Sequence, residues 1–143
     1  MDDAAFQSLA GLGRAIGTSA PEHAEWKWDG SAGVAIAVLT VEEVSRLYSA
    51  LAETCENDWT VDNVGDCTED VGIMIREMGD LRPGQHLFCS GMGAGDFVYL
   101  AVWPWNDQLH VSVRFGVYYA TGRHVDSAVH HGVIRRGLGI GED

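Results

Sequence analysis

QHLFCSGMGAGDFVYLAVWPWNDQLHVSVRFGVYY, residues 85–119, carries the pattern that decides the fold. From Leu109 onward the chain alternates. Leu109, Val111, Val113, Phe115, Val117 and Tyr119 fall on one side; His110, Ser112, Arg114, Gly116 and Tyr118 fall on the other. A period of two sustained over such a run is a strand with one buried face. The preceding segment, Phe97 to Trp103, is apolar on both sides, as a strand flanked by neighbours should be. Pro104-Trp105-Asn106-Asp107 separates the two with turn chemistry. Upstream, Gln85–Ser90 is a third strand, and the glycine-rich run from Gly91 to Asp96 supplies a permissive turn. Together these make a three-stranded meander.

If Val98, Leu100 and Val102 join the buried face, then Phe97, Tyr99 and Trp103 share the opposite face with His110, Arg114 and Tyr118. A covering helix accounts for such a face. So does recognition, because Trp, Tyr and Arg dominate binding hot spots. Tyr99, Trp103, Arg114 and Tyr118, with Trp105 in the turn, are therefore candidate binding residues.

Working outward, Ala4–Ile16 has helical spacing, with Phe6, Leu9, Leu12, Gly13 and Ile16 on one face and Gly17 as a stop. His23–Trp28 and Val34–Leu39 flank the turn Asp29–Gly33 and predict a hairpin. Thr40-Val41-Glu42-Glu43 is a capping box, in which the Thr hydroxyl accepts the N3 amide and the Glu reaches back. It opens a helix whose stripe is Val41, Val44, Leu47, Tyr48, Leu51 and Cys55. Thr68 caps another helix, with Val71, Met74, Ile75 and Met78 inward and Gly79 at its end. Val125–Arg136 predicts a last helix burying Val125, Ala128, Val129 and Val133, with Arg135 and Arg136 at the negative end of its dipole. The expected fold is α+β: about five antiparallel strands, an N-terminal hairpin plus a C-terminal meander, with three to four helices packed on one face. The whole chain, 1–143, reads as a single domain.

Composition narrows the function classes. A hydrophobic content of 46% with 21% charged residues is globular. The longest apolar run, Phe97 to Trp105, is too short to span a bilayer, and Met-Asp-Asp opens no signal peptide. Both point to a cytoplasmic protein without membrane contact. Cys55, Cys67 and Cys89 are odd in number and widely spaced, which favours reduced thiols. Twenty-one acids against nine bases, a net charge of −12, disfavour direct binding to a nucleic-acid backbone. A basic protein partner fits better, and a homodimer is the other association considered.

Between residues 53 and 80 the acids concentrate: Glu53, Glu56, Asp58, Asp62, Asp66, Glu69, Asp70, Glu77 and Asp80 face the single base Arg76. Glu69 and Asp70 suit a helix N-terminus. Glu56, Asp58, Asp62 and Asp66 have no such explanation, so all six, from Glu56 to Asp70, are candidate docking residues.

Catalytic patterns are incomplete. The glycine run lacks the spacing and the following helix of a dinucleotide-binding turn. Residues 58–70 lack the spacing of a calcium loop. His124, Asp126, His130 and His131 form the densest set of metal-ligand types, short of a structural zinc set. Cys89 and Ser90, with His86 or His110 close in sequence, are the nucleophile–base candidates. No cofactor and no metal are expected. The leading expectation is a small acidic non-enzymatic binding protein. It would be an inhibitor, antitoxin or nucleic-acid-mimicking decoy, of the anti-CRISPR, antirestriction or immunity-protein kind. The alternative is a small hydrolase or metal-dependent enzyme using Cys89, His86 and His110, or the Asp126/His130/His131 cluster.

Overall fold

The computed structural model describes residues 3–20, 24–93, 95–120 and 127–140. Among these the chain is α+β, with four helices and one six-stranded antiparallel sheet. The elements run α1 (Asp3–Ser19), β1 (Lys27–Asp29), β2 (Val34–Thr40), α2 (Val41–Thr54), β3 (Asn57–Trp59), α3 (Glu69–Glu77), β4 (His86–Gly93), β5 (Asp96–Pro104), β6 (His110–Tyr118) and α4 (Ser127–Gly137). The strand order is β1-β2-β6-β5-β4-β3, so the meander occupies the middle and the N-terminal hairpin extends it at one edge.

Alternation sorts the sheet into two faces. Val98, Leu100 and Val102 of β5 line up with Val111, Val113 and Phe115 of β6 and Ala35, Ala37 and Leu39 of β2. Leu9, Leu12 and Ile16 of α1, Val44, Leu47 and Leu51 of α2, and Ile134 of α4 close over that face. The capping box of α2 forms as its residue types demand: Glu43 N donates to Thr40 Oγ1 and Thr40 N donates to Glu43 Oε1 at 2.8 Å. On the second face, Val71, Met74 and Ile75 of α3 bury Leu87, Cys89, Tyr99 and Ala101. The helices therefore lie on both faces, not one. The β5 strand needs this, because its second face is as apolar as its first.

Other departures have local causes. A sixth strand, β3, pairs Asn57 and Trp59 with Cys89 and Leu87 inside the acidic stretch, where no periodicity announced it. Strand β4 runs on through Gly91 to Gly93 with a bulge, so much of the glycine run is strand, and Gly95 at φ 82° makes the turn. Helix α1 passes Gly17 and ends at Ser19; Gly17 serves close packing instead, since a Cβ there would fall 3.1 Å from the Gly137 carbonyl oxygen of α4. Leu109, placed by alternation on the buried face, is 64% exposed because it belongs to the hairpin loop. Helix α4 buries His130 and Ile134, while Val129, expected inward, is exposed. His23, His124, Val125 and Asp126 lie outside the described residues, as does the side chain of Phe6.

Candidate docking surface

Strands β2, β3 and β5 run in the same direction, so the segments that follow them emerge at one end of the sheet. That end carries Val41 after β2, Val61 after β3, Trp105 after β5 and Leu109 before β6. They are 47%, 39%, 47% and 64% exposed, and among the described residues only Val38 and Val129 are comparably exposed large apolar side chains. Trp105 and Leu109 share one hairpin tip, which a hydrogen bond ties to Val41, whereas Val61 follows the edge strand two places from β5. Neighbouring solvent-facing apolar groups mark interaction sites.

The hairpin tip is held in place. Asp107 Oδ1 accepts from the backbone amides of Leu109 and His110, each at 2.9 Å. Asp107 Oδ2 lies 2.6 Å from His110 Nδ1. The His110 contact, then the two amides, hold the Asp107 carboxyl down at about 2. Trp105 N donates to His110 O at 2.8 Å, and the Trp105 ring lies against His110 with centroids 5.3 Å apart. Val41 N donates to Leu109 O at 3.1 Å, which ties the start of α2 to the tip. On the β3 side, Thr60 N donates to Asn63 Oδ1 and Asn63 Nδ2 donates to Asp58 O, each at 2.9 Å, fixing the turn that presents Val61 and Asp62. The exposed carboxylates at this end include Glu42 and Asp62, Glu25 before β1 and Asp80 before β4, with Asp107 engaged by His110; Arg82 is an exposed base there.

The acidic stretch does not form one surface. Glu56 Oε1 accepts from Gly91 N at 2.7 Å, anchoring the bulged strand. Asp58 lies 2.9 Å from His86 Nδ1. Both acids, without evident purpose in the sequence, serve the fold. Asp70 is half-buried beside Gly95, in the turn at the opposite end of the sheet. Asp62, Asp66 and Glu69 are exposed, and among the described residues their carboxylates make no hydrogen bond or ion pair. Of these three, Asp62 lies at the end that carries Trp105.

The aromatic face also divides. Tyr99 is only 7% exposed, covered in the second core. Trp103 and Tyr118 are half-buried, Tyr118 stacked on Phe97 with centroids 5.8 Å apart. Arg114 is exposed, on the groove it lines with Glu77 and Met78 at the end of α3.

The pleat separates Cys89 from His86, while Ser90, on the His86 side, has its hydroxyl accepting from Glu56 N at 3.2 Å. His86 and Phe88 face one side of β4, Phe88 in the first core; Leu87 and Cys89 face the other. Burial pushes the Cys89 thiol far above its usual value, and pushes Cys55 up to about 11 against a lowering hydrogen bond from Ser90. His110 is at the docking end with Asp107. His130 Nδ1 is 2.8 Å from Tyr119 Oη, whereas the adjacent His131 rests on Trp28 at 5.1 Å. Among the described residues no three His, Cys, Asp or Glu side chains converge as metal ligands, and no helix is long and apolar enough to cross a membrane. Comparison with protein-family models, curated proteins and solved structures returns no match.

Proposed function

We propose that this protein is a non-enzymatic binding protein that docks on a basic partner protein through the end of the sheet bearing Trp105, Leu109, Val41 and Val61. The observation that carries this reading is the exposed apolar group of Trp105, Leu109 and Val41 at one hairpin tip, with Val61 at the same end of the sheet, on a strongly acidic molecule. Trp105 is the anchor, since a half-exposed Trp on a braced hairpin offers large contact area at little ordering cost. Glu42 and Asp62 stand at the same end, and the net charge of −12 favours encounter of the molecule with a cationic partner. An inhibitor, an antitoxin or a decoy for a nucleic-acid-binding protein has this chemistry. A cytoplasmic setting suits three free thiols, of which Cys89 is buried.

The test is affinity capture from native lysate, run in parallel with wild type and Trp105→Ala. A protein retained by wild type, released by raised salt and lost with Trp105→Ala supports the reading. Equal retention by both baits would refute it.

A further inference from the structure

Beside the C-terminal end of α3, the second face of the sheet holds an open groove of about 330 Å³. It is lined by Tyr99, Trp103, Arg114 and Val34 from the sheet and by Glu77 and Met78 from the end of α3. The strand register sets the polar groups: Ala101 pairs with Arg114 and Tyr99 with Gly116, so Arg114 and Tyr99 are diagonal neighbours on one face. Gly116 gives the Tyr99 ring its room, because a Cβ there would fall 3.0 Å from Tyr99 Oη and 2.7 Å from Val34 Cγ1.

Two hydrogen-bond donors open into this groove. Tyr99 is 7% exposed as a residue, but its hydroxyl bonds no other described residue and is not among the buried unpaired atoms, so it opens to the groove. A phenol hydroxyl placed so can donate to a bound group. Burial pushes the Tyr99 pKa up to about 12, and the nearby Arg114 charge pulls against it, so the hydroxyl is a donor at neutral pH. Arg114 is exposed and makes no ion pair among the described residues. A guanidinium beside a hydroxyl donor is a carboxylate receptor. A simple anion is nevertheless a poor fit, because Glu77 stands on the rim and the whole molecule carries −12.

We propose that the groove binds a small zwitterion, a free α-amino acid with an apolar side chain. Arg114 and the Tyr99 hydroxyl take its carboxylate, Glu77 takes its ammonium, and Trp103 with Met78 receives the side chain. The volume lies at the low end of ligand pockets, which suits a guest of this size. This site goes beyond the docking surface and does not depend on Trp105.

Calorimetric titration of the full chain tests it, with L-phenylalanine and L-leucine as probes, and 3-phenylpropanoate and phenethylamine as analogues lacking one charge each. Saturable binding of at least one amino acid is expected, with both analogues about tenfold weaker, as loss of one charged hydrogen bond implies. Arg114→Gln and Tyr99→Phe should each weaken binding, while Glu77→Gln should close the gap between L-phenylalanine and 3-phenylpropanoate. Trp105→Ala should bind the amino acid as wild type does, which separates this site from the docking surface. No saturable binding of either amino acid would overturn the proposal. So would equal binding of phenethylamine, or indifference to Arg114→Gln in a protein whose melting curve is unchanged.

Discussion

Gly116→Ala is the sharpest test of how the two faces of the sheet are packed. The added Cβ would sit 2.7 Å from Val34 Cγ1 and 3.0 Å from Tyr99 Oη. Val34 is only 5% exposed and sits in β2, paired directly with Gly116. Its branched side chain is stiff at χ1 and cannot swing away cheaply. Overpacking of this kind costs about 1–3 kcal/mol. Alanine recovers roughly 0.5–1 kcal/mol of that, because glycine loses more entropy in a strand. A net loss of about 1–2 kcal/mol should remain, and at roughly 2–4 °C per kcal/mol it lowers Tm by several degrees. The assay is thermal melting of wild type, Gly116→Ala, Val34→Ala and the double variant. Since the clash is with Val34, the cycle should couple by about 0.5 kcal/mol or more, the double variant being better than the sum. A Gly116→Ala protein that melts with wild type, or a cycle that adds without coupling, would refute the packing described for this row.

Two further outcomes follow from burial. Val113 is fully buried between β2 and β5, so Val113→Asp should cost several kcal/mol by placing an unpaired carboxylate in the core, while Ser112→Ala stays within about 0.5 kcal/mol; denaturant titration giving the reverse ranking would mean the strand faces are exchanged. Burial raises the Cys55 thiol to about 11, so its alkylation rate in the folded protein should still be climbing above pH 9, where an ordinary thiol levels off; a plateau near pH 9 would place Cys55 in contact with water.

The fold was legible wherever one local rule acted alone. Alternation from Val111 to Phe115 identified β6 and its inward face, and the types at Thr40 and Glu43 identified both the cap and the start of α2. Where two rules compete, sequence misleads. Leu109 continues the alternation, but Asp107 binds the amides of Leu109 and His110 and holds Leu109 in the loop. Val41 continues the stripe of α2, yet as the first helical residue it lies beyond the edge of the sheet and is exposed. Those two residues are half of the exposed apolar end, so that surface was invisible to periodicity. The signal that could have found them is position: each adjoins a cap or turn residue with an aspartate or threonine oxygen to bind amides. Strand β3 has no period at all, being three residues held by pairing with β4 and by the Asp58–His86 contact. The second core was ambiguous for another reason. Phe97, Tyr99 and Trp103 suit a binding face and a helix-covered face equally, and only the path of α3 decides that Tyr99 is covered while Arg114 is not.

The association rate with the captured partner, measured across a salt series, tests the docking claim most directly. Glu42→Lys with Asp62→Lys reverses charge at the end that carries Trp105; Asp66→Lys with Glu69→Lys reverses the same amount of charge elsewhere, Glu69 at the start of α3 next to the half-buried Asp70. Both pairs change the net charge equally, so the bulk field is matched between them. Screening shortens from about 10 Å at 0.1 M salt to about 3 Å at 1 M, so any difference due to local steering should fade over that range. The docking end predicts markedly slower association for the Glu42/Asp62 pair at low salt, converging with the Asp66/Glu69 pair at high salt. Equal rates for the two pairs throughout the series would contradict it.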